Sequence, residues 1–137
     1  MAEIERIGAE VVDAAVKLHK RLGPGLLESV YKVLLAKELE HRGLSVERER
    51  RVSINVDGIV FERAFRVDLL VEGQLVVELK SVDVLLPAHW KQVLTYLKLL
   101  DLRLGFLINF GEARLKDGLK RIVNGYDGFA PSRLRVR

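Results

Sequence analysis

The sequence predicts an α/β fold in which helices lie on the faces of a mixed β-sheet. Three observations support this prediction. Residues 4–42 carry apolar side chains at three- and four-residue spacing, residues 46–71 are rich in β-branched and aromatic side chains with period-two alternation, and an amphipathic segment over residues 88–100 separates two apolar runs. A crossover helix between two strands favours their parallel pairing, so the sheet is expected to be mixed.

Composition restricts the possible classes of protein. The chain has 137 residues, 49% of them hydrophobic and 31% charged, which is typical of one globular domain over residues 1–137, with residues 126–137 as a basic tail. There is no cysteine, which excludes disulfides, thiolate zinc sites and a cysteine nucleophile. The acidic N-terminal segment and the short apolar runs predict a soluble protein without a signal peptide or membrane span, and the lack of cysteine fits a reducing cytoplasm.

Two helices are expected first. The first runs over residues 4–22 and ends at Gly23-Pro24-Gly25, and the second runs over residues 26–42 and ends at Gly43. The side chains expected to face inward are Ile4, Ile7, Val11, Ala14, Ala15 and Leu18 on the first helix and Leu27, Val30, Tyr31, Leu34 and Leu35 on the second.

An antiparallel meander should follow, with Asp57-Gly58 as a hairpin turn. A strand over residues 75–81, a helix opened by Pro87 over residues 88–100 and a buried strand over residues 104–109 come next. A short helix over residues 115–123 completes the prediction, before a tail with Gly128, Pro131 and three arginines.

Polar residues interrupt two of these strands. Alternation places Leu75, Val77 and Leu79 on one face and Val76, Glu78 and Lys80 on the other, and an isolated E-x-K of this kind is commonly a solvent-facing pair. The preceding strand has Phe65, Val67, Leu69 and Val71 on an apolar face, with Arg66 and Asp68 on the alternate face.

The turn between these strands decides whether the carboxylates meet. A two-residue loop, Glu72-Gly73, would pair Asp68 with Val77 and separate it from Glu78. A three-residue loop, Val71-Glu72-Gly73, would pair Asp68 with Val76 and leave Glu78 diagonally adjacent, with Gly73 left-handed. Either loop is compatible with the sequence.

Asp68, Glu78 and Lys80 together would suit phosphodiester hydrolysis. Carboxylate oxygens bind Mg²⁺, which lowers the pKa of a bound water and neutralises phosphate charge. The lysine can orient that water and stabilise the transition state. Without a cation, two adjacent carboxylates should raise the pKa of one of them. A formal charge of +4 and a pI near 9.5 are compatible with a polyanionic partner, although each basic cluster is also typical of a solvated face.

These residues resemble a known family. Asp68 followed by Glu78-Leu79-Lys80 resembles the D…(D/E)xK core of the PD-(D/E)xK nuclease superfamily, and residues 25–31, GLLESVY, match the motif that names its GxxExxY proteins. Residues 89–98, HWKQVLTYLK, resemble the helix after that core, including the Q-x-x-x-Y pair of RecB-like nucleases, and residues 105–111 resemble the following strand.

The resemblance implies a restriction-endonuclease-like fold, a meander plus a crossover strand flanked by helices. It also implies catalytic Asp68, Glu78 and Lys80, and a Mg²⁺ site, open to Mn²⁺, held by Asp68 and Glu78 with Glu28 as a further ligand. Glu28 has a structural alternative, since an acidic residue stabilises the first turn of a helix. Gln92 and Tyr96 would line the site, and Tyr31 would line it or support it as a packed aromatic.

Two functions follow as hypotheses. The first is a Mg²⁺-dependent nuclease that cuts DNA and leaves a 5′-phosphate; the second is a catalytically silent module that keeps the fold and binds nucleic acid or a protein partner. A homodimer or a partner subunit would help a chain of this size to hold DNA. An enzyme acting on a small phosphorylated molecule is a third alternative, although the sequence has no glycine-rich phosphate loop of the Walker type.

Overall fold

A computed structural model of the protein describes residues 2–125 and 134–136. Three helices and a six-stranded sheet form in chain order, and their bounds are α1 Glu3–Leu22, α2 Glu28–His41, β1 Val46–Val56, β2 Ile59–Val71, β3 Leu75–Lys80, α3 Pro87–Leu100, β4 Leu104–Asn109, β5 Leu119–Val123 and β6 Leu134–Val136. The predicted basic tail, apart from the β6 segment, lies outside the described residues.

The sheet has the strand order β5-β4-β3-β2-β1-β6. The pairing of β3 with β4 is parallel, and the other pairings are antiparallel. Helix α3 connects the two parallel strands, as the crossover pattern predicted. The predicted α/β class with a mixed sheet flanked by helices is therefore confirmed. None of the described helices is both long enough and apolar enough to cross a membrane.

Helices α1 and α2 cover one face of the sheet with the larger apolar core. The predicted stripe of α1 is buried from Ile7 to Leu18, with Ile4 partly buried. On α2, however, Leu27 is 74% exposed and Val30 is 38% exposed, so their inward placement was wrong. The helix begins at Glu28, which leaves Leu27 outside it, and its apolar stripe follows Tyr31, Leu35 and Leu39, one residue away from Val30.

Helix α3 covers the other face with a second core, which includes Val76, Leu70, Val93 and Leu97. Strand β3 is therefore buried on both faces, as a central strand with a parallel neighbour usually is. The interpretation of its E-x-K motif as a solvent-facing pair is wrong for Glu78, which is only 6% exposed.

Strand β2 changes sides along its length. Leu69 and Val71 pack in the α1/α2 core, but Phe65 and Val67 belong to the α3 core, so the single apolar face predicted for these four residues is wrong. Regular pairing with β1 is interrupted between the Arg48/Leu69 and Arg50/Val67 pairs, where Glu49 adopts a φ of 52°. The register is the same on both sides of Glu49, and it shifts further along, between Val52 and Ile54, where an irregularity of this kind bends a strand.

The two hairpin turns set the registers. Asp57 and Gly58 form the predicted two-residue turn, with φ of 52° and 84°, between Val56 and Ile59. The second loop is Glu72-Gly73-Gln74, since Val71 pairs with Leu75. It has the odd length that brings the carboxylates to one face, but it starts one residue later than the predicted three-residue loop.

The last predicted helix, over residues 115–123, is wrong. A 3₁₀ turn over Leu115–Gly118 is followed by strand β5, which pairs antiparallel with β4. Gly118 is a poor helix former, and a Cβ there would lie 2.6 Å from the carbonyl oxygen of Asn109. The free edge of β4 offers hydrogen bonds that the sequence pattern does not reveal.

Candidate active site

A cleft of about 460 Å³ opens where β2, the end of β3, α3 and the start of α2 meet. Six of its lining residues were predicted from the sequence as site residues. They are Glu28, Asp68, Glu78, Lys80, Gln92 and Tyr96. The full lining is Glu28, Arg51, Arg63, Phe65, Arg66, Asp68, Glu78, Lys80, Gln92 and Tyr96. The tertiary structure thus brings together side chains from five elements, namely α2, β1, β2, β3 and α3.

Asp68 and Glu78 form the floor of the cleft. The β2/β3 pairing runs from Val71 with Leu75 to Leu69 with Val77, and beyond it the side chains of Asp68 and Glu78 connect the two strands. The Asp68 N–H donates to Glu78 Oε1 at 3.0 Å, and the Leu79 N–H donates to Asp68 Oδ2 at 3.0 Å. The two carboxyl groups are thereby fixed beside each other, each only about one-twentieth exposed, at 5% and 6%.

The burial and proximity of these two carboxyl groups change the pKa of Glu78. Burial raises the pKa of Glu78 well above its usual range, and the neighbouring Asp68 carboxylate raises it further. Both causes disfavour the charged form of a carboxyl group, whereas the charge of Lys80 acts in the opposite direction and lowers the pKa of Glu78.

Lys32 lies against Asp68, and the sequence did not single it out. Its ammonium lies 3.1 Å from Asp68 Oδ1 and 3.4 Å from Glu49 Oε1, and the residue is 8% exposed. Burial opposes its charged form, but Asp68 and Glu49 outweigh that effect and raise the pKa of Lys32. A signal was present, because Lys32 follows Glu28 by four residues and so shares its helix face.

Glu49 links Lys32 to the surface of the hairpin. Its Oε1 lies 3.4 Å from Lys32 Nζ and 3.5 Å from Arg66 Nη1. The positive φ of this non-glycine residue costs about 1 kcal/mol or more, and it lies beside Asp68, where β1/β2 pairing is interrupted. The strained backbone thus places a carboxylate against the buried ammonium.

Glu28 at the start of α2 and Lys80 at the end of β3 both line the cleft. Glu28 is the first residue of α2, and burial followed by the charge of Asp68 raises its pKa. Lys80 is the last residue of β3 and shares the Glu78 face of that strand. Glu28 therefore occupies a first helical turn and a cleft wall at once.

Helix α3 forms the opposite wall. Gln92 and Tyr96 both line the cleft, as their four-residue spacing allows. The Tyr96 ring stacks on Phe65 with centroids 4.3 Å apart and an interplanar angle of 14°. Burial, then the charges of Glu78 and Asp68, raises the pKa of the Tyr96 hydroxyl. The wall therefore keeps a neutral phenol beside the acidic floor.

Tyr31 lies behind the cleft, in the core, and does not line it. Its ring stacks on Phe110 at 4.4 Å, and its hydroxyl donates to the Gly23 carbonyl at 2.6 Å and accepts the Leu26 N–H at 3.2 Å. These contacts hold the loop that leads into Glu28. Tyr31 thus occupies the supporting position that the sequence allowed as one of its two roles.

The donor set can be compared with the needs of a divalent cation. Within residues 2–125, no three His, Asp or Glu side chains are gathered closely enough to hold an ion by themselves. Mg²⁺, however, usually takes one or two carboxylates and completes its octahedron with water and substrate phosphate oxygens. Asp68 and Glu78, buried side by side and both lining the cleft, fit such a two-carboxylate site.

Comparison with protein families decides the class. A family model of the PD-(D/E)XK nuclease superfamily matches residues 5–122. The chain belongs to this superfamily. The matched region contains every lining residue of the cleft, and PD-(D/E)XK nucleases generally use divalent metals. No curated protein and no solved structure gave a match to the chain.

Proposed function

We propose that this protein is a Mg²⁺-dependent nuclease of the GxxExxY group that hydrolyses phosphodiester bonds of DNA. The observation that carries the proposal is the pair of hydrogen bonds that holds Asp68 beside Glu78, with Lys80 on the Glu78 face of β3, in one open cleft. Membership of the superfamily and the GLLESVY motif over residues 25–31 support the same assignment.

Each residue would have a distinct role. Asp68 and Glu78 would hold the cation, and Glu28 would join them directly or through water. A bound divalent ion supplies charge neutralisation on the phosphate and a lower pKa for the attacking water. Lys80 would orient that water and stabilise charge on the phosphate, while Gln92 and Tyr96 would position the strand.

Cleavage assays with labelled single- and double-stranded DNA and RNA test the proposal, in Mg²⁺, Mn²⁺ or chelator. Lys80→Ala should lower the DNA cleavage rate at least about 100-fold, because general acid–base and electrostatic contributions are of that size. Lys98→Ala is the matched control, since Lys98 is an exposed lysine of α3 outside the cleft. Cleavage in chelator, or equal rates for Lys80→Ala and wild type, would remove the mechanism.

A silent nuclease-fold module is the second candidate. It is favoured by the Lys32 ammonium, which lies 3.1 Å from Asp68 Oδ1 and already neutralises that carboxylate. Two measurements separate the candidates. In calorimetric titration with Mn²⁺, a nuclease should lose metal binding in Asp68→Ala and Glu78→Ala. In a DNA-binding assay, a silent module should keep its DNA affinity in both variants.

The assembly state completes the proposal. A homodimer, or a partner subunit, would supply DNA contacts that a chain of 137 residues has little surface to provide. Sedimentation of the protein with and without a DNA duplex measures this directly. A monomer under both conditions that still cleaves DNA would eliminate the need for a second subunit.

A further inference from the structure

Two arginines face each other across strands β1 and β2. Arg51 and Arg66 are direct partners in the antiparallel register, and both are exposed. Like charges in directly opposite positions destabilise a sheet. Both side chains also line the cleft that holds Asp68 and Glu78, as does Arg63. The arrangement costs stability and concentrates positive charge at the cleft rim.

The local ion pairs do little to offset this charge. Arg66 Nη1 lies 3.5 Å from Glu49 Oε1, and both side chains are about half exposed, at 51% and 52%. Pairs of this kind contribute little to stability. Glu49 is also shared with the buried Lys32 ammonium. Within residues 2–125, neither Arg51 nor Arg63 lies within salt-bridge distance of a carboxylate.

We propose that Arg51, Arg63 and Arg66 form a binding site for the phosphodiester backbone of a nucleic-acid strand, beside the bond held at Asp68 and Glu78. The identity of that neighbouring bond rests on the proposed function. Guanidinium groups bind phosphate oxygens through two parallel hydrogen bonds, and a phosphate between opposed arginines removes their repulsion. This three-residue set is called the arginine rim.

The spacing along β2 suits this role. Arg66 precedes Asp68 by two residues, which places their backbones about 7 Å apart. That distance corresponds to about two nucleotides of axial rise along one strand of duplex DNA. The stacked Phe65 and Tyr96 rings line the same cleft and provide an apolar surface beside the strand.

The test measures binding without cleavage. Fluorescence anisotropy in chelator would follow a labelled single strand of DNA, its duplex and the matching RNA, each at several salt concentrations. The Arg51→Gln/Arg66→Gln variant is compared with Arg6→Gln/Arg103→Gln, which removes the same charge from exposed arginines outside the cleft. Arg103 precedes β4 at the end of the sheet away from Lys80, since Leu104 pairs with Leu75.

The rim variant should bind about 100-fold more weakly than wild type, on the basis of about tenfold for each lost charged hydrogen bond. Its salt slope on duplex DNA should fall by about 2, because each lost phosphate contact removes about 0.9. The three probes show which form of nucleic acid the rim prefers. Equal loss in the control variant, or no measurable binding by the wild-type protein at low salt, would overturn the proposal.

A stability measurement excludes a purely structural role. Arg51→Gln removes the opposed charge, so its Tm should equal or exceed the wild-type value by about 1–2 °C while binding weakens. A lower Tm with weaker binding would instead mean that Arg51 acts through the fold. The binding and cleavage assays also separate this proposal from the nuclease assignment. If binding depends on the arginine rim but no Mg²⁺-dependent cleavage occurs, the rim proposal stands and the nuclease assignment fails. If the protein cleaves DNA but binding does not depend on the rim, only the nuclease assignment stands.

Discussion

The two ends of strand β2 differ in their surroundings although their sequences look alike. Residues 59–64 are exposed, including the apolar Ile59, Val60 and Phe61, whereas residues 67–71 are buried between two cores. The candidate site lies where the strand passes from one environment to the other. Burial there is sufficient to perturb carboxylate pKa values, and the neighbouring exposed half leaves the cleft open to a large substrate.

The largest expected effect contrasts the two ends directly. Leu69→Ala should lower the free energy of unfolding by about 4 kcal/mol, because it leaves a cavity in the α1/α2 core. Ile59→Ala, at a side chain that is 60% exposed, should change it by less than about 0.5 kcal/mol. Urea denaturation of both variants gives the comparison, and similar losses would show that the exposed end is covered in solution.

The next effect concerns the buried ion pair at the boundary. Lys32→Met should lower the free energy of unfolding by about 3 kcal/mol, since it leaves Asp68 buried without its ammonium partner. The Lys32→Met/Asp68→Leu double variant should recover much of that loss, because no unpaired charge remains. Chemical denaturation tests both, and strictly additive losses would show that the pair is not coupled.

A smaller effect of opposite sign is expected at Glu78. Its folded-state pKa is raised, so the folded state retains a proton that the unfolded state loses as pH rises above about 4.5. The contribution of Glu78 to the free energy of unfolding therefore decreases as the pH rises. Glu78→Gln replaces the carboxyl group with a neutral amide and removes this pH dependence. In chelator, the variant should melt about 4 °C above wild type at about pH 8 and near it at about pH 4. A pH-independent difference would contradict the shift.

The smallest effects compare the two hairpin turns. Gly58→Ala and Gly73→Ala each place a methyl group at positive φ, 84° and 65°, in open space, so each should cost about 1 kcal/mol. Only the Gly73 turn sets the register between Asp68 and Glu78. Mn²⁺ titration should therefore show weaker binding for Gly73→Ala and unchanged binding for Gly58→Ala. Equal Mn²⁺ affinities of the two variants would show that metal binding does not depend on the β2/β3 register.

Much of the fold could be predicted because it depends on local patterns. The α1 stripe, the Asp57-Gly58 turn, the Pro87 start of α3 and the parallel pair around it follow from periodicity and turn chemistry. The predicted helix over residues 115–123 was wrong because pairing with the edge of β4 is a long-range contact that the local pattern does not contain. The prediction for Leu27 was wrong because α2 begins only at Glu28, and that for Val30 was wrong because a stripe displaced by one residue points to another side of the helix.

The sequence by itself determined which side chains could do chemistry: Asp68, Glu78 and Lys80 interrupt an apolar pattern at recognisable spacing, and Gln92 and Tyr96 share a helix face. Only the tertiary structure decided that Asp68 lies beside Glu78, that Lys32 is paired beneath them and that Arg51 faces Arg66. The reason is physical. Residue type and period are properties of a single segment, whereas strand register, burial and pKa arise from segments that are distant along the chain.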